Sequence, residues 1–205
     1  MNLHFFHVLF RNRGPNHHKP PPGGEGSLLP MHRLVWTALL AALVAVGAYL
    51  QLSFWVVPFS LQTFFVLLAG FVLGPLNGSL AVLLYIVAGA VGLPVFAAGK
   101  GGLGHILGPT GGYIIGFAFG ACAAGVGRVL CRRDPLPWTC GIATAALALV
   151  PIYALGLPWL KYTLDVTWPR VVAIGLVPFL PGDLVKVMAV VAVYRYLQEH
   201  DLVKL

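Results

Sequence analysis

Charge is scarce in this chain: only 9% of its 205 residues are Asp, Glu, Lys or Arg, while 59% are hydrophobic and the mean hydropathy is +0.86. A soluble domain carries roughly a quarter charged residues, so a water-exposed surface cannot be built from this composition. From Leu34 to Gly99 there is no Asp, Glu, Lys, Arg or His. A bilayer core about 30 Å thick needs about 20 such residues per helix, so this run alone holds about three spans.

Other absences exclude whole chemistries. Cys122, Cys131 and Cys140 stand nine apart with no CxxC and no histidine cluster, which supports neither a disulfide framework nor a metal site and favours packing between helices. No HExxH, nucleophile and base, or paired carboxylates occur in the apolar segments, so no catalytic constellation can be nominated and no cofactor is implied. Gly99-x-Gly101-x-x-Gly104 matches a dinucleotide fingerprint, but no strand or βαβ unit surrounds it. Gly101 follows Gly99-Lys100, and Pro94 stands where a phosphate-binding loop needs glycine, so the chain has no ATP site of that kind.

Residues 1–32 differ in composition from everything after them. Arg11, Arg13, His17, His18 and Lys19 precede Pro20-Pro21-Pro22-Gly23-Gly24, and the apolar run Leu3 to Phe10 is too short for a signal-peptide core with a cleavage site. A disordered cytoplasmic tail is expected, with Met31 as an alternative start of translation. Residues 33–199 form the membrane domain, and 200–205 are a short C-terminal tail.

Helix breakers divide the membrane domain into six spans: 34–52, with Pro58 at its exit, 61–74, 79–93, 111–130, 138–157 and 183–197. Gly74-Pro75-Leu76-Asn77-Gly78 is read as a tight turn, and 171–180 as a re-entrant or surface segment. With the N-terminus inside, the inner side holds Arg11, Arg13, Lys19, Arg33, Arg128, Arg132, Arg133, Arg195 and Lys204, and the outer side Lys100, Lys161 and Arg170. That bias obeys the positive-inside rule and places both termini in the cytoplasm. The net charge of +7 is therefore a topology signal and not a nucleic-acid footprint.

Asp183 and Lys186 open the last span three residues apart, on one helical face. A charge inside a span costs about 2.5 to 3.5 kcal/mol on insertion scales and usually faces the bundle interior or a cavity. One reading is a solute site, where the carboxylate accepts from N–H groups and the ammonium donates to an oxygen, as an amide or urea requires. The other is an interfacial pair that only caps and anchors the helix. The glycine-rich loop from Gly99 to His105 is either a lid over an outward-facing pocket or an ordinary hairpin. Ala38/Ala42 and Ala41/Ala45 have the small-xxx-small spacing of a helix-packing face, whose partner is internal or another subunit.

Several stretches resemble one family together and in order: Leu61 to Gly70, Gly92-Leu93-Pro94-Val95-Phe96, Gly108-Pro109-Thr110-Gly111-Gly112-Tyr113 and Pro178 to Lys186. They are similar to BioY, the biotin-binding S components of energy-coupling factor (ECF) transporters, over about residues 34–198. The resemblance implies an all-α integral membrane protein of six helices in the cell membrane. It also implies high-affinity biotin uptake together with a transmembrane coupling protein and two ABC-type ATPases. It places Asp183 and Lys186 on the biotin head, Gly99 to Gly104 in the loop over the site, and Ala38 and Ala42 on the coupling-protein face. Lys100 and the basic tail depart from the family pattern.

Biotin's ureido ring has two N–H donors and one carbonyl acceptor, which Asp183 and Lys186 would complement. By position, Tyr85, Phe96 and Tyr113 are candidate walls. Lys100, with Gly99, Gly101 and Gly102, is a candidate for the mouth, where it would attract the carboxylate. The competing reading is a self-sufficient secondary transporter in which Asp183 couples proton entry to uptake of biotin or another small amide- or urea-containing solute.

Overall fold

A computed structural model describes residues 25–52, 59–131, 135–200 and 202. The chain divides into two compact units, Met1–Met31 and His32–Leu205, and the account below concerns the second. Residues 1–24 and most of the expected C-terminal tail lie outside the described residues, as does the expected exit at Pro58.

The first helix, α1, spans Glu25–Tyr49 and so begins inside the stretch that composition reads as a tail. Most of the breakers there, Pro20 to Gly24, precede it. Beyond α1 the helical fold is interrupted by a two-residue antiparallel pair, β1 (Gln51–Leu52) with β2 (Phe59–Ser60).

Helix α2 spans Gln62–Ala90, but Gly74 within it has φ 78° and ψ −176°, which is not helical. The chain reverses there. A Cβ on Gly78 would lie 2.8 Å from the Ala69 carbonyl oxygen, and Gln62 bonds Tyr85 across 23 residues. In a straight helix those last two residues would stand about 34 Å apart. The expected turn is thus tighter than the sequence indicates: Gly74 alone breaks the helix, and Pro75, well suited to the first helical position, starts the return arm.

A 3₁₀ turn at Ala97–Gly99 and the short α3 (Leu103–Ile106) lead to α4 (Gly111–Cys131) and α5 (Trp138–Leu164). α5 runs past the expected end at Leu157 despite Pro151 and Pro158, and ends where Asp165 takes a left-handed φ of 50°. α6 (Trp168–Gly175) and α7 (Leu180–Glu199) follow, bent from each other by 46° as a broken or re-entrant pair. By length and apolarity three helices can cross a membrane, α2, α4 and α5, with the bent pair as a fourth; the apolar part of α1, Arg33–Tyr49, is shorter.

Small residues let the layers approach. A Cβ on Gly70 of α2 would stand 2.2 Å from the Ala121 carbonyl oxygen of α4, so the two backbones nearly touch. The core between them holds Val66, Phe71, Val82, Phe117 and Tyr194. Leu84, Leu147, Leu184 and Val185 lie exposed on the outside, which suits hydrocarbon and not water.

One sequence expectation is corrected here. Cys131 and Cys140 are joined as a disulfide with Cα atoms 6.4 Å apart, while Cys122 is free. The short α4–α5 connection returns the chain beside itself, a proximity that a nine-residue spacing does not reveal.

Candidate substrate site

Asp183 and Lys186 sit in the first two turns of α7, 4% and 5% exposed, whereas Leu184 and Val185 between them are 69% and 68% exposed. The first turns of the helix therefore face the two charges inward and Leu184 and Val185 outward. Lys186 Nζ donates to Asp183 Oδ1 at 3.1 Å, and the Tyr153 hydroxyl of α5 donates to Oδ2. Each carboxylate oxygen thus has a donor, which offsets the cost of holding the charge away from water.

These groups face a partly enclosed chamber with about 630 Å³ of space not filled by atoms, counted to its open mouth. Its polar lining comes from Ser60, Gln62, Thr63, Tyr85, His105, Thr110, Tyr113, Tyr153, Asp183 and Lys186. Its apolar lining is Ala97, Ile114, Phe117, Leu149, Ile152 and Phe179. Such a chamber takes an elongated molecule with a hydrogen-bonding part and an apolar part.

The walls are themselves fixed. The Gln62 side-chain amide donates to the Tyr85 hydroxyl, and Ser60 Oγ lies 3.5 Å from Gln62 Oε1. The Tyr113 hydroxyl donates to the Gly175 carbonyl at 2.9 Å and its ring meets Tyr153 edge-on, with centroids 6.1 Å apart. Phe96 is fully buried behind the chamber, edge-on to Tyr85 and stacked on His105 at 5.2 Å. Burial, and then the charge of Lys100, hold the His105 imidazole below its usual pKa.

Of the residues that sequence reading proposes, Tyr85, Tyr113, Asp183 and Lys186 come together in the lining. Phe96 supports the wall from behind. Gly99, Lys100, Gly101 and Gly102 are not in the lining. Their loop is folded on itself: the Gly102 amide donates to the Gly89 carbonyl at 2.7 Å, and the Phe96 amide to the Lys100 carbonyl at 2.9 Å. Lys100 is exposed, and the loop's contributions to the chamber are Ala97 and His105.

Sequence reading missed Gln62, Tyr153 and His105 as site residues. His105 is the only histidine between His32 and His200, which was a usable signal. Tyr153 lies within an apolar helix and had none. On α1, Ala41 is buried and Ala45 partly so, whereas Ala38 and Ala42 face outward.

Comparison with known proteins adds a second line. The model of the BioY family matches residues 20–201. A probable biotin transporter BioY of Pyrococcus horikoshii is 43% identical over 161 residues, 78% of this chain and 93% of that protein. The biotin transporter BioY of Thermotoga maritima is 40% identical over 159 residues, 77% of this chain and 90% of the relative. Among solved structures, the S-component for biotin from an ECF-type ABC transporter superposes with a TM-score of 0.76 at 26% identity, covering 84% of this chain and 93% of the other.

Proposed function

The chain belongs to the BioY family, and from that footing we propose that it is a multi-pass membrane protein that captures biotin and delivers it across the cell membrane with an ECF coupling module. The relatives it matches over most of their length are named as biotin transporters, and the solved structure with the same fold is an S-component for biotin. Transport, and not catalysis, is the function.

The observation that carries the reading is the buried Asp183–Lys186–Tyr153 group, set in a chamber whose remaining wall is largely apolar. A ureido ring offers donors to Asp183 and an acceptor to Lys186. Ile114, Phe117, Ile152 and Phe179 suit the thiophane and the aliphatic chain. Gln62, held by Tyr85, supplies a further polar group at the same wall. Gly99 to Gly102 act by shaping the loop that presents Ala97 and His105, while Lys100 lies outside the chamber.

Six crossings fit this function: α1, the two arms of α2 on either side of Gly74, α4, α5 and the α6–α7 pair. The Lys and Arg bias then sets both termini in the cytoplasm. The partners are a transmembrane coupling protein and two ABC-type ATPases. Titration of biotin into the purified protein tests the reading: tight saturable binding, much weaker for an analogue lacking the ureido carbonyl, is expected. Equal affinity for both ligands overturns the ureido assignment.

A further inference from the structure

A second pocket lies away from the chamber, at the end of the helices where Arg33, Arg128 and Arg195 cluster, the end that the Lys and Arg bias assigns to the cytoplasm. It lies beside the Gly74 turn, with about 570 Å³ of space not filled by atoms when the open mouth is counted, and Arg33, Asn77 and Arg128 supply its polar lining. The two arginines come from different helices, α1 and α4. Among the described residues the ion pairs are Lys186–Asp183 and Arg195–Glu199, so neither Arg33 nor Arg128 has a carboxylate there.

Arg128 is held in place. Its Nε donates to the Tyr194 hydroxyl at 2.6 Å and its guanidinium lies 5.7 Å from the centre of that ring. That contact uses Nε, so the planar terminal amino groups keep the fork that matches a phosphate. In the last turns of α4 that carry it, Val126, Val129 and Leu130 are 43%, 47% and 73% exposed, so apolar side chains flank the arginine at this end of the helix.

Two cations in a pocket at the headgroup level, bordered by exposed apolar side chains, fit a molecule with an anionic head and hydrocarbon tails. We propose that this pocket binds the headgroup of an anionic phospholipid from the cytoplasmic leaflet, with the phosphate between Arg33 and Arg128. Basic pockets between helices on the cytoplasmic side recognise such headgroups by the same chemistry. Free phosphate would satisfy the same arginines, and a separate arm of the test distinguishes it from lipid.

Native mass spectrometry of the full chain in neutral detergent tests the site, with phosphatidylglycerol or phosphatidylcholine added in turn and inorganic phosphate in a third arm. Wild type should retain phosphatidylglycerol in clear preference to phosphatidylcholine. Arg33→Gln and Arg128→Gln should each reduce that retention about fivefold, while Arg195→Gln, an arginine at the same end that is paired with Glu199, should behave as wild type. If Arg128→Gln fails to fold, Arg33→Gln decides, because that side chain is exposed. Equal retention of the two lipids by wild type, or undiminished phosphatidylglycerol binding in Arg33→Gln, overturns the proposal. Binding of inorganic phosphate alone, without lipid preference, marks a free-anion site and also overturns it.

Discussion

The Tyr153 hydroxyl donates to Asp183 Oδ2 from a helix 30 residues earlier in the chain, while Lys186 holds Oδ1 of the same carboxylate at 3.1 Å. The acid is therefore the centre of the group and the other two are its donors. Removing one partner of a buried ion pair leaves an uncompensated charge, at a cost of about 3–5 kcal/mol. Lys186→Met should lower both the melting temperature in detergent and biotin affinity, the latter by two orders of magnitude or more. Tyr153→Phe removes one hydrogen bond to a charged group, about 1.5–3 kcal/mol, and should weaken biotin at least tenfold while the protein still folds. A titration in which both variants bind as wild type would remove this group from the site.

His105 gives the loop a pH response whose sign follows from its depressed pKa. Above about pH 6.5 the imidazole is neutral in both folded and unfolded chains and contributes no pH dependence. As the pH falls through that value the unfolded chain takes up a proton that the folded loop resists, so stability declines until the pH passes the lower, folded value. Thermal melts between pH 7.5 and 4.5 should therefore be steeper for wild type than for His105→Gln. Parallel curves would show that the imidazole titrates alike in both states.

Gly74 has nothing within 4 Å of the position a Cβ would occupy, so a substitution there meets no clash. Its φ of 78° with ψ of −176° lies in a region that is essentially open only to glycine. Gly74→Ala should cost about 1–3 kcal/mol of stability through the backbone alone. Thermal unfolding should detect that loss, and the molecules that remain folded should bind biotin normally. A melting temperature equal to wild type would show that the reversal does not depend on this conformation.

Ala38 faces outward from α1 while Ala41 and Val44 pack inward. A large side chain at Ala38 therefore leaves the core untouched and blocks close approach of another helix. Ala38→Trp should keep biotin affinity within about twofold, since no packed group is displaced, and abolish co-purification of the coupling protein and its ATPases. Retained co-purification would take this face out of the docking surface.

What could be read from the chain order followed from local rules. The empty charge register from Leu34 to Gly99 required membrane burial, Gly74-Pro75 required a break, and the three-residue spacing of Asp183 and Lys186 required a shared face. Each depends on composition or on residues within one helical turn.

Contacts across the fold were not legible. Gln62 meets Tyr85 across 23 residues, Tyr153 meets Asp183 across 30 and Tyr113 meets Gly175 across 62. Which helices become neighbours decides them, and that is set by close approaches such as Gly70 on Ala121. The same limit hid the Cys131–Cys140 pairing and the loop fold that keeps Gly99 to Gly102 out of the chamber and turns His105 into it. The sequence by itself determined that an acid and a base share one face of an apolar helix; only the tertiary structure decided that this face turns inward, that Tyr153 completes the pair and what shares their chamber, because helix packing assembles side chains that no single period brings together.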